Sequence, residues 1–143
     1  MNYLNVLSRV LIAIIFLVSG FIKLVNFQAL PVMGAAVGLP APGVTMFLAG
    51  VIEVACGLAL LIGWRVDWAC LALFLYLIPV TLIFHVAPMR DPAQFQNQMV
   101  HVLKNLAIMG GLLKFYVDAA SEAAGRVVPP VSGRIHEIRR RAS

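Results

Sequence analysis

Glu53 is the only charged residue in the stretch GVTMFLAGVIEVACGLALLIG, residues 43–63. A segment of that length spans a bilayer and holds the carboxylate near its midplane, where an ionised group costs about 3 kcal/mol even on insertion scales. A carboxylate kept at that depth can pair with a cation, hold a proton or relay one. Polar residues that could work with it recur along the chain. Asn97, His101, Lys104, Asn105 and Ile108 stand at offsets that trace one helical face, with the polar members in one half. Arg9, Ala13, Phe16, Ser19, Gly20 and Lys23 form a second stripe, and Thr81 and His85 lie one turn apart. Histidine, lysine and asparagine on an apolar wall can donate hydrogen bonds to a small ligand, with Glu53 as a proton relay.

The elements that must position these residues are long apolar runs. The chain has 143 residues, 62% of them hydrophobic and 12% charged, about half the charge of a soluble domain. Runs at about 4–25, 43–63, 66–86 and 98–117 are each long enough to cross about 30 Å of hydrocarbon. The expected fold is all-α: an integral membrane four-helix bundle over residues 1–118, followed by a basic, partly disordered tail over 119–143. The first run could instead be a secretory signal, but its apolar region is too long and no A-x-A site follows closely. The net charge of +5 is uneven. Arg9, Arg65, Lys114, Arg126, Arg134, Arg139, Arg140 and Arg141 fall on one side of the expected topology. Lys23, Arg90 and Lys104 fall on the other, where Asp91 offsets Arg90. The positive-inside rule then puts both termini in the cytoplasm. Beside a bilayer the basic tail meets anionic headgroups, and no nucleic acid partner is expected.

Connections are short. Residues 26–42 are uncharged and punctuated by Pro31, Pro40 and Pro42, which suits an interfacial helix near 29–37, resting on headgroups or capping a cavity. Residues 63–67 make helices two and three a hairpin with Trp64 and Trp68 at the interface. Residues 87–97 read as a polar, proline-rich loop. Pro79 should kink the third helix and free the carbonyl of Leu75. Ala49, Gly50, Cys56 and Gly57 share the face of Glu53, and Ala107, Gly110 and Gly111 make a similar face in the last helix. Small residues let helices approach closely in lipid, so Glu53 faces protein.

Depth selects among the cations. With both termini inside, Lys23, His85, His101, Lys104 and Asn105 come to the outer half. Lys104 starts about 10 Å and Glu53 about 15 Å below the outer ends of their helices, a difference a lysine stem covers. Lys23 is shallower and can snorkel outward. The expected ion pair is therefore Glu53 with Lys104, and Arg9 next. Glu53, Lys104 and His101 are the catalytic candidates; His101, Lys104, Asn105, Lys23 and His85 are the candidate small-ligand pocket. The same groups could simply fix helix register. His85, His101 and Glu53 form a set suited to non-haem iron. Glu53 lies several ångströms too deep for ligand bonds of about 2 Å, and Lys104 would repel the cation, so no metal site is expected. Cys56 and Cys70 form no C-x-x-C pair and read as packing residues. Lys114 and Asp118 read as an i,i+4 pair with no chemistry assigned.

RVLIAIIFLVSGFIKL (9–24), GLPAP (38–42), AGVIEVACGLALLIG (49–63) and HVLKNLAIMGGLL (101–113) occur in an order and spacing that resemble the DoxX family of small four-helix membrane proteins. The resemblance extends over residues 4–116 and includes Arg9, Gly20, Lys23, Glu53, Gly57, Gly63, His101, Lys104 and Asn105. It implies a bacterial cytoplasmic (inner) membrane protein linked to redox systems, since the family takes its name from subunits of a thiosulfate:quinone oxidoreductase. The chain has only the small membrane part, with no flavin motif, haem signature or paired cysteines. An enzymatic role then needs a partner protein, or a homo-oligomer, and a bound quinone. The resemblance ranks a redox-associated subunit first, an assembly or scaffold subunit second and a proton-coupled carrier third.

Overall fold

The computed structural model describes residues 3–127, which form α1 (Tyr3–Val25), α2 (Leu30–Ala35), α3 (Pro42–Ile62), α4 (Val66–Thr81) and α5 (Pro92–Val127). A π-helical turn (Leu82–Val86) and a 3-10 turn (Ala87–Arg90) continue α4. Among the described residues four segments are long and apolar enough to cross a membrane: Tyr3–Val25, Pro42–Ile62, Val66–Arg90 and Pro92–Gly125. The protein is an all-α integral membrane protein.

Local sequence explains the boundaries. Gly63 adopts φ 77°, and the Trp64 amide donates to the Ala59 carbonyl at 2.9 Å, a glycine-closed helix end. Three residues then turn the chain into α4, whose N-cap Arg65 is also left-handed at φ 45°. Between α4 and α5 the expected eleven-residue loop is shorter. Asp91 accepts the Ala93 amide at 3.0 Å and Pro92 opens the helix, so α5 starts within the stretch read as loop. At its other end α5 continues past residue 117 to Val127, because Ala119, Ala120, Ala123 and Ala124 are strong helix formers. The first part of the expected tail is thus helical; residues 128–143 lie outside the described residues. Pro79 does not break α4, which runs through it and changes to π geometry at Leu82, whose amide bonds Ile78 and Pro79 carbonyls. The short helix expected near 29–37 is present as α2.

The helices pack as two antiparallel pairs. α1 lies most extensively on α3, and α4 on α5. A Cβ on Gly20 would sit 2.8 Å from both the Glu53 Cβ and the Gly50 carbonyl oxygen, so the α1 and α3 backbones approach where only glycine fits. Gly57 similarly abuts the Leu17 side chain. The buried apolar core, including Ala13, Phe16, Leu60, Cys70, Leu73 and Leu112, lies toward the end bearing the α3–α4 turn. Toward the opposite end, where α2 packs on α3, the pairs enclose a cavity. Leu4, Leu7, Leu11, Ile14, Val18 and Phe21 form a stripe on α1 that is 48–70% exposed. A patch of that extent is unusual in water and is the surface that meets acyl chains.

Candidate functional site

The α3 face containing Ala49, Gly50 and Gly57 turns Glu53 into the bundle, where it is 4% exposed. Lys23 Nζ lies 3.0 Å from Oε1 and 2.9 Å from Oε2 of Glu53. The same ammonium donates to Ser19 Oγ, one turn back along α1, at 2.7 Å. Tyr76 donates its hydroxyl proton to Glu53 Oε1 at 2.6 Å. Three helices therefore converge on one carboxylate, which receives charge-assisted bonds from α1 and a phenol from α4.

This arrangement corrects the expected ion pair. Lys23, not Lys104, binds Glu53. Depth favoured Lys104, but the order of helices around the bundle decides. α3 packs on α1, α2 and α4, whereas Lys104 is on α5. Lys23 does not snorkel outward, because Ser19 draws its ammonium back down the helix and Gly50 leaves room for the stem. Lys104 is exposed, and its Nζ lies 3.2 Å from His101 Nδ1. Arg9 does not approach Glu53 either: its guanidinium rests against Gly63 at the turn end. Tyr76 was absent from the sequence candidates, although the hairpin points to it. Glu53 stands eleven residues before Trp64 and Tyr76 eleven after Arg65, so the two face each other across the turn. A buried phenol also needs a partner.

A second cluster joins α4 to α5. Asn105, buried, donates to Thr81 Oγ1 at 3.0 Å, and Thr81 donates to the Leu77 carbonyl. The π turn brings the His85 ring onto His101, with centroids 4.9 Å apart and planes 12° from parallel. His85 Nδ1 is 2.9 Å from Gln98 Oε1. The donor and acceptor roles in this contact and in that between Lys104 and His101 follow from which ring nitrogen carries the proton. The two imidazoles stack rather than converge on a point, and Glu53 is engaged elsewhere.

Between the clusters lies a cavity of about 540 Å³. Ser19, Lys23, Glu53 and Tyr76 line one side; His85, Lys104 and Asn105 line the other. The remaining wall is apolar apart from Thr45, with Phe16 and Phe84 among its side chains. Of the expected pocket residues, Lys23, His85, Lys104 and Asn105 border the space, and His101 stands behind as the stacking support of His85. Cys56 and Cys70 are free thiols in or against the apolar core. Lys114 and Asp118 pair on the surface of α5.

Residues 4–86, more than half of the chain, match the DoxX family. The chain belongs to the DoxX family. No curated protein and no solved structure matches it. The matched stretch ends with the π turn and contains all of the Ser19–Lys23–Glu53–Tyr76 network together with His85. His101, Lys104 and Asn105 follow it on α5.

Proposed function

We propose that this DoxX protein is a redox-associated subunit of the bacterial cytoplasmic membrane, which takes a quinone in the cavity and exchanges electrons through a partner protein. One observation carries the reading: a part-buried Lys–Glu–Tyr network faces His85, Lys104 and Asn105 across a largely apolar cavity. The residues suit such a ligand. Phe16 and Phe84 supply apolar ring contacts, Lys23, Lys104 and Asn105 supply donors to carbonyl oxygens, and about 540 Å³ is within the range of small-molecule sites. Bound quinone supplies two-electron, two-proton chemistry. Within the chain, the Glu53 carboxylate, paired with Lys23 and bonded by Tyr76, would accept a proton released when bound quinol gives its electrons to the partner protein. The basic groups Arg9, Arg65 and Lys114 share the turn end, which supports cytoplasmic termini and a cavity in the outer half of the membrane.

The test is chemical analysis of protein extracted in mild detergent. Quinone should co-purify with the wild type, and Glu53→Gln or Tyr76→Phe should lower its occupancy at least tenfold without changing helical content. Quinone-free wild-type protein, with unaltered redox activity in cells carrying either substitution, overturns the proposal.

An assembly role is the second reading. It is supported by the position of the network at the closest approach of α1 and α3, with every buried side-chain nitrogen and oxygen partnered among the described residues. A Glu53→Gln protein that loses function yet still captures its partners in pulldowns counts against it.

A further inference from the structure

We infer that the cavity is entered sideways from the bilayer, through the gap between α3 and α4, and that its occupant is a membrane-dissolved amphiphile whose apolar tail lies in that gap. This rests on the quinone reading for the head of the ligand and adds its tail, its route and its orientation.

The sides of the cavity differ in chemistry. The α1–α3 side is closed, because Gly20 and Gly50 bring the backbones together and Lys23 bonds Glu53 across the seam. The α4–α5 side is closed by the Asn105–Thr81 bond and the stacked histidines. The α1–α5 side presents Ser19 and Lys23 opposite Lys104, and an acyl or isoprenoid tail laid there would desolvate ammonium groups.

The α3–α4 side has neither polar closure nor charge above one rung. Its floor is the Tyr76–Glu53 bond. Beyond that rung the edges are Leu48 and Ile52 on α3 and Pro79, Val80 and Ile83 on α4 and the π turn. All five line the cavity, and among the described residues no hydrogen bond joins the two edges. Leu48 and Ile52 are nevertheless 52% and 39% exposed. A side chain that borders an internal space while half exposed to the outside marks an opening. The opening gives onto lipid, since Leu75 and Leu82, which flank Pro79 on the same helix, are exposed and apolar. Pro79 and the π turn interrupt regular helix geometry at this same edge. Toward the end of the bundle α2 packs on α3, and its Met33 borders the cavity. A ligand seated this way has its polar head at Tyr76, Lys23 and Asn105 and its tail between Leu48 and Val80.

The experiment uses the full chain in proteoliposomes with two benzoquinones. One carries a long isoprenoid tail with a diazirine; the other has methyl groups and no tail. Photolysis should place the adducts of the tailed quinone within residues 48–52 and 79–83. Filling the gap with Leu48→Trp and Val80→Trp together should weaken the tailed quinone at least tenfold more than the tail-less one, and circular dichroism reports that the variant is folded. Adducts on Ser19 or Ile108, or equal effects on both quinones in a folded variant, overturn the lateral route. If the variant does not fold, the adduct map on the wild type decides. Binding of the tail-less quinone with a failed adduct map removes only this inference; a wild type that binds neither quinone removes the quinone reading as well.

Discussion

An ammonium and a carboxylate held at 18% and 5% side-chain exposure depend on one another, because either alone would be a buried charge without a partner. Lys23→Met should therefore destabilise the protein by about 3 kcal/mol, near the low end for a broken buried pair, since Lys23 keeps some exposure. Adding Glu53→Gln should restore at least half of that loss, whereas Lys104→Met should change stability by less than about 0.5 kcal/mol. Thermal unfolding of the single and double variants in detergent measures the cycle. If Lys104→Met proved as damaging as Lys23→Met, the pairing would be wrong. The sequence carried the depth of Glu53 and its need of a cation, because depth follows from counting residues along a helix. It did not carry the choice of cation. That depends on which helix lies beside which, a property of the assembled bundle, and on Ser19 holding an ammonium that could equally have reached outward. Tyr76 was legible through its position opposite Glu53 in the hairpin, since a tight turn fixes register.

At the scale of elements, the α1–α3 seam is the most demanding contact. Gly20→Ala should cost about 1–3 kcal/mol, because its methyl group would meet Glu53 Cβ and the Gly50 carbonyl rather than a flexible side chain. Gly110→Ala, where an added Cβ meets nothing within 4 Å, should instead be neutral or stabilise by up to about 1 kcal/mol through helix propensity. Unfolding midpoints of the two variants test the contrast, and equal effects would count against close backbone packing. The four spans were readable because uninterrupted apolar runs of bilayer length have few alternatives. The start of α5 was misplaced by weighing the prolines and polar residues of 87–97 as loop, although Asp91 followed by Pro92 is a capping signal. Its far end was misplaced because a basic, alanine-rich segment loses hydrophobic periodicity while keeping helix propensity.

For the whole molecule, the two-pair arrangement gives the membrane protein unlike halves: a packed one at the turn end and a hollow one near α2. The charge distribution predicts which half faces out. In a Cys56→Ala, Cys70→Ala background, Gln94→Cys should react with an impermeant maleimide added to intact cells. Ala123→Cys should react only after the membrane is permeabilised. The opposite pattern would invert the topology and place the cavity in the inner leaflet. α5 contributes to the asymmetry, since 36 residues at about 1.5 Å each make about 54 Å of helix against about 30 Å of hydrocarbon.

The three-residue turn at Gly63 has a mechanical consequence. It joins the two helix pairs at one end, as the pivot joins the arms of tongs, while the rest of each arm is stiffened by its own partner helix. Leu48 lies fourteen residues from Ile62, a lever of about 21 Å, so a rotation of about 5° at the pivot displaces the arm tip by about 2 Å. Movement of that size changes the width of the jaw without separating either pair, and the work of opening falls on a few backbone torsions at the turn and on the Tyr76–Glu53 bond between the arms.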